Sequence, residues 1–183
     1  YRYYLTANKQ VRYPFGYGLS YTTFEYADLK VIHENGKITA TCTITNTGNY
    51  DGAEVVQLYV KAPKTDVFKP EKELRAFTKV DLKAGESKIA TLEFDDSDLR
   101  YFDIKLNRPV LESGEYELQI CSDRQTQRNS NGRRRERAIS LFRKNKSGLF
   151  KCKFIGNYGR DLGTDERDKN TCLTAEKADN ARK

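Results

Sequence analysis

Three carboxylates close together in sequence, Asp95, Asp96 and Asp98, are the first residues of this 183-residue chain that could do chemistry. Neighbouring carboxylates can exchange a proton with a substrate or hold a cation. Here they occupy one polar corner, Phe94–Leu99, where Asp favours capping a short helical turn. A calcium loop would need a longer ligand pattern with a Gly and a terminal Glu. Glu54 stands in a β-branched run and reads as a structural hydrogen-bond partner rather than an acid or base. His33 is the only histidine, so any Ser-His-Asp or Cys-His machinery would have to use it. It lies just before Asn35-Gly36 and is expected at an exposed hairpin position, and one His leaves no His-rich metal site. Cys42, Cys121, Cys152 and Cys172 are separated by 79, 31 and 20 residues, none of them a CxxC spacing. Cys42 reads as a buried free thiol on an inward strand position, and Cys152 with Cys172 as a possible tail disulfide. Gly16-Tyr17-Gly18 lacks the strand and helix that a phosphate loop requires. No catalytic residue, metal ligand or cofactor is expected from this inventory.

The remaining chemistry is electrostatic. The net charge of +7 is concentrated at one end, because residues 123–183 hold 17 Lys and Arg against 8 Asp and Glu. Within that stretch Arg133, Arg134, Arg135 and Arg137 form the sharpest basic run. They are the candidate anion-binding residues, towards phosphates or anionic lipid headgroups, with a solvated charge run as the bland alternative. Nucleic acid is disfavoured as a partner of the whole chain, since residues 1–122 carry 16 basic against 18 acidic residues. No apolar run reaches the roughly 18 residues of a membrane helix, so no membrane partner is expected. Asn145-Lys146-Ser147 fits the glycosylation triplet, which matters only after secretion.

The elements that must position these residues are strands. Thr23–Ile32 is followed by the hairpin signal Asn35-Gly36. Lys37–Asn46 then alternates Ile38, Ala40, Cys42 and Ile44 with Thr39, Thr41, Thr43 and Thr45, one face apolar and one polar. Ala53–Lys61 carries apolar residues on both faces, as a central covered strand does. Further strands are expected at Leu74–Leu82, Ser87–Phe94, Leu99–Ile104 and Glu115–Cys121. Turn signals recur every 8–12 residues and no amphipathic helix intervenes. The expected fold is therefore all-β, an immunoglobulin-like antiparallel β-sandwich of about seven strands over residues 25–122. It is flanked by an aromatic extension, 1–24, and a basic, poorly patterned tail, 123–183. In that tail Ile139, Leu141, Phe142, Leu149, Phe150, Phe154 and Ile155 are compatible with a short hairpin.

Residues 13–26, Tyr-Pro-Phe-Gly-Tyr-Gly-Leu-Ser-Tyr-Thr-Thr-Phe-Glu-Tyr, closely resemble the segment leading into the fibronectin type III-like domain of family 3 glycoside hydrolases. Four further blocks resemble the same family in the same order. They are Tyr1-Arg2-Tyr3-Tyr4; Thr43–Gly48 with Gly52–Val60; Lys72–Val80 with Leu82–Ser87; and Gly114–Leu118. The resemblance covers about residues 1–122 and does not extend into the tail. It implies a parent enzyme of β-glucosidase or β-xylosidase type with a retaining mechanism, whose two carboxylates lie in domains outside this chain. No catalytic role is therefore carried over to any residue here.

The opening at Tyr1, without an initiator Met, is read as a piece of a longer polypeptide, with residues 1–24 leading from a catalytic domain. So dense a run of aromatics cannot bury itself and implies a partner surface. The candidate interface residues are Tyr3, Tyr4, Tyr13, Pro14, Phe15, Tyr17, Leu19, Tyr21 and Phe24. The expected function is a non-catalytic accessory domain that stabilises the catalytic domains of the parent, which would meet a β-glucoside or β-xyloside. The alternative is a standalone carbohydrate- or polyanion-binding module using surface aromatics or the basic tail. The parent's compartment, cytoplasmic, periplasmic or secreted, stays open.

Overall fold

The computed structural model describes residues 1–122, 138–144 and 150–157. A five-residue helix, α1 (Arg2–Thr6), precedes strands β1 (Phe24–Glu34), β2 (Lys37–Asn46), β3 (Gly52–Lys61), β4 (Glu73–Leu82) and β5 (Ser87–Asp95). A 3₁₀ turn (Asp96–Leu99) leads to β6 (Tyr101–Asp103), β7 (Arg108–Val110) and β8 (Gly114–Cys121). Strands β9 (Ala138–Lys144) and β10 (Phe150–Asn157) follow. The β1–β2 hairpin turns on Asn35 and Gly36, both at positive φ (50° and 79°), which suits the right-handed twist of the flanking strands. Asp28, at φ 54°, marks a register shift in β1 between Ala27 and Lys30.

The strands form an antiparallel sandwich. One sheet has the order β1-β2-β5 and the other β10-β9-β8-β3-β4, while β6 and β7 make a small ribbon. The alternation in β2 does what period two requires: Ile38, Ala40, Cys42 and Ile44 are buried, and they meet Val56, Leu58, Val60, Leu118 and Ile120 from the facing sheet. Tyr26, Leu92, Phe94 and Tyr116 complete this single core. Every core side chain on β2 is at most 1% exposed, so the interior is closed to solvent.

Two expectations change. The five-stranded sheet continues past residue 122, because β9 pairs antiparallel with β8 and β10 with β9. Without β9 the β8 edge would present unpaired backbone N–H and C=O groups, and pairing removes that liability. The aromatic extension contains α1 and lies on the sandwich. The short strand β7 was not foreseen; at three residues it carries too little pattern to be read. Arg133, Arg134, Arg135, Arg137 and Cys172 lie outside the described residues.

Candidate interdomain interface

The outer face of the five-stranded sheet has two halves. In one, Tyr59 of β3 is fully buried although it points away from the core. Its hydroxyl donates to Gln57 Oε1 at 2.6 Å, and Gln57 Nε2 donates to the Ser122 carbonyl at 2.6 Å. Beside them Lys72 Nζ donates to Gln119 Oε1 at 2.9 Å and sits 5.0 Å above the Tyr59 ring. Gln119 Nε2 in turn donates to Glu117 Oε1 at 2.5 Å. Buried polar groups must be paired, and these are paired along and across β3 and β8.

The cover over this half is the amino-terminal segment. The Tyr1 ring meets Tyr59 edge-on at 6.0 Å and Phe15 at 5.0 Å. The Leu74 N–H donates to Tyr1 Oη at 2.7 Å, and the Glu71 N–H to Thr6 Oγ1 at 2.9 Å. Arg2 reaches Glu73 at 2.7 Å, and the other oxygen of Glu73 takes Arg75 at 2.6 Å.

The far end of the segment is pinned by Asn46. Its Oδ1 accepts from Thr22 Oγ1 at 2.5 Å and from the Gly48 N–H at 3.1 Å. Its Nδ2 donates to the carbonyls of Tyr50 at 2.8 Å and Leu82 at 3.3 Å. All four side-chain bonds that a buried Asn can make are satisfied. A Cβ on Gly48 would run into Thr22 Oγ1 and come within 3.1 Å of the Thr23 backbone nitrogen, so this position needs Gly for close approach.

Between its two anchors the segment offers its aromatic side chains to solvent. Tyr3, Tyr4, Tyr13, Phe15 and Tyr17 are all exposed, Leu19 is 90% and Tyr21 97% exposed. Tyr13 and Tyr17 pair with each other at 5.1 Å, their rings tilted by 41°, and Arg12 lies over Tyr13. Two candidates take a different place. Pro14 is buried at the start of a turn closed by the Tyr17 N–H, and Phe24, the first residue of β1, packs against the core. A second apolar patch went unread in the sequence: Phe68 (84% exposed) in the β3–β4 loop, with Phe102, Ile104 and Leu106 around the β6–β7 ribbon. That loop is tied to the ribbon by Glu112, which binds Lys69 and accepts from Tyr101 Oη at 2.9 Å. Burial pushes the Glu112 carboxyl up, but the bonds from Lys69, Tyr101 and Thr65 outweigh it and hold it below the usual range.

The residues considered for chemistry are structural. Asp95 and Asp98 form the capping box of the 3₁₀ turn, with the Asp95 N–H donating to Asp98 Oδ2 at 3.3 Å, and Asp96 stands in its first turn. His33 is half-buried rather than exposed, its Nε2 facing Asp96 Oδ2 at 3.5 Å, because the Asp96 N–H bonds to the Gly36 carbonyl and draws the corner onto the hairpin. Glu54 accepts from Tyr26 Oη at 2.6 Å. Cys42 is buried and free, and its thiol donates to the Ala27 carbonyl.

Burial pushes the Cys42 thiol up to about 12 and the Tyr116 phenol up to about 12. It also raises the Tyr26 phenol well above its ordinary value, with the Glu54 carboxylate adding to the effect. Each group is neutral when folded and ionises more readily when unfolded. Their stabilising contribution is therefore complete below pH ~8, where the unfolded thiol and phenols are also neutral, and is lost as pH rises towards 12. Denaturant midpoints measured from pH 8 to 11.5 should fall steeply above pH ~9. A flat profile would show that these groups are not excluded from solvent.

These features define a class, the fibronectin type III-like β-sandwich module. Residues 54–124 match the fibronectin type III-like domain family, so the chain contains such a domain, and this region is similar to the one carried by GH3 glycoside hydrolases. It is 47% identical over 121 residues to an exo-α-(1→6)-L-arabinopyranosidase of Bifidobacterium longum, covering 66% of this chain and 16% of that enzyme. It is 42% identical over 124 residues to the thermostable β-glucosidase B of Acetivibrio thermocellus, again covering 66% and 16%. Among solved structures, the GH3 β-glucosidase of Bifidobacterium adolescentis superposes with a TM-score of 0.64 at 35% identity, over 91% of this chain and 22% of that one. The chain thus spans about a sixth of the length of its curated relatives.

Proposed function

We propose that this chain is the accessory module of a larger glycoside hydrolase, holding that enzyme's catalytic domains together through residues 1–21. The observation that carries this reading is the amino-terminal segment. It is fastened at Tyr1 and Thr22, yet Tyr3, Tyr13, Leu19 and Tyr21 face outward between those points. Isolated soluble domains seldom keep such a patch uncovered. The relatives' names point to the hydrolysis of α-arabinopyranosides, β-xylosides or β-glucosides, so the parent would act on a glycoside. The chemistry would belong to the other domains, and this module would set their relative position.

The test uses the whole chain with the Bifidobacterium longum relative lacking its own matching region. The expected result is a one-to-one complex in sedimentation and restored glycosidase activity, with no hydrolysis by either piece alone. Failure to form a complex, together with binding of the isolated chain to a soluble polysaccharide, would replace this reading with that of a carbohydrate-binding module.

A further inference from the structure

The two broad faces of the sandwich are chemically unlike. On the outer face of β1-β2-β5, Thr39, Thr41, Thr43 and Thr45 form a hydroxyl ladder that continues into Thr91, which pairs with Thr41. Ile32 and Ile89 are exposed there, but they stand singly among polar neighbours, as apolar residues commonly do on protein surfaces. The outer face of the other sheet is half covered by residues 1–15, and the uncovered half holds Val55 and Phe77. Phe77 is 70% exposed although its register partner is Gln57, which accepts from the buried Tyr59. The apolar surface of the segment therefore adjoins an apolar surface of the sheet. Charge of both signs surrounds it, since Glu73 takes both Arg2 and Arg75. Residues 1–24 carry Arg2, Lys9 and Arg12 and no carboxylate, and Lys79 faces outward beside Val55. Asp81 lies at the far end of β4.

We infer that the module docks through this composite face, with Phe77 and Val55 as its centre, onto an apolar surface of the catalytic body, leaving the threonine face in solvent. This rests on the accessory reading above and adds the face, the central residues and the chemistry of the partner. The occupant is the remainder of a longer enzyme, because the matched relatives have about five-sixths of their length outside the region they share with this chain.

The experiment measures the affinity of the full chain, and of variants, for the Bifidobacterium longum relative lacking its matching region. F77D should weaken binding by about tenfold or more, since truncating or charging a central interface aromatic typically costs this much. I89D, the matched change on the threonine face, should stay within about twofold, as peripheral positions do. Thermal melting of each variant reports folding, and F77S takes the place of F77D if the charged variant melts early. Tight binding by both Phe77 variants, or loss of binding in I89D, would overturn the assignment of the face while leaving the accessory role standing. No binding by the unsubstituted chain would remove the accessory role and this inference together.

Discussion

Replacing Asn46 with Ala should lower the stability of the sandwich by about 3 kcal/mol or more. The side chain is fully buried and makes four hydrogen bonds that converge from different segments. Removing it takes the partner from the buried Thr22 hydroxyl and from the Leu82 carbonyl, and a buried group without a partner costs roughly 1–3 kcal/mol. A domain of this size has only about 5–15 kcal/mol in total. The melting temperature should fall by about 10 °C or more. Asp at this position keeps the acceptor but loses both donors, so it should not restore stability at neutral pH. A melting shift below about 2 °C for Asn46→Ala would show that water replaces the lost bonds and that the pin is not structural.

Tyr59→Ala is expected to have the second large effect, and in a different place. It removes a fully buried aromatic at a cost of about 3–5 kcal/mol, and it takes away the ring that Tyr1 packs against. Backbone amides of residues 2–9 should lose protection in hydrogen exchange, while those of β2 and β5 in the opposite sheet change little beyond the global loss. Tyr59→Phe keeps the platform and loses only the bond to Gln57, so it should cost about 1 kcal/mol and leave the segment in place. Equal loss of segment protection in both variants would mean that the hydroxyl network, and not the ring, holds the segment down.

The two effects fall on different ends of residues 1–22, which gives the segment two independent fastenings. At one end the contacts are aromatic and ionic, Tyr1 on Tyr59 and Arg2 on Glu73. At the other they are neutral hydrogen bonds through Thr22. The exposed tyrosines between them are therefore presented on a braced strip rather than on a loose terminus, and a pre-ordered strip has less entropy to lose on docking.

Much of the sandwich is legible in the residues alone because its strands alternate. Lys37–Asn46 occupies the very span that its Ile/Thr alternation marks, and Asn35-Gly36 turns as those residue types require. The exposure of the aromatics in 1–21 is legible for a different reason: a short run so rich in Tyr cannot hide itself. Other features carry no local signal. Phe77 sits in a run that reads equally well with either face inward, and only pairing with β3 places it outward. Lys72, a long cationic side chain, would be put in solvent by composition, yet it is buried because the first residues of the chain close over it. Asn46 looks like the polar end of a strand, and its role depends on the amino-terminal segment, the β2–β3 loop and the end of β4, which meet only in the folded chain.

The amino-acid sequence by itself determined the strand positions, the hairpin turn, the inward face of β2 and the kinship with glycoside hydrolase modules, because each rests on neighbours along the chain. The tertiary structure decided which sheet face the aromatic segment covers, that β9 completes the edge of β8, and which polar side chains are buried. Those depend on contacts between residues tens of positions apart, where the pattern of one segment places no constraint on its partner.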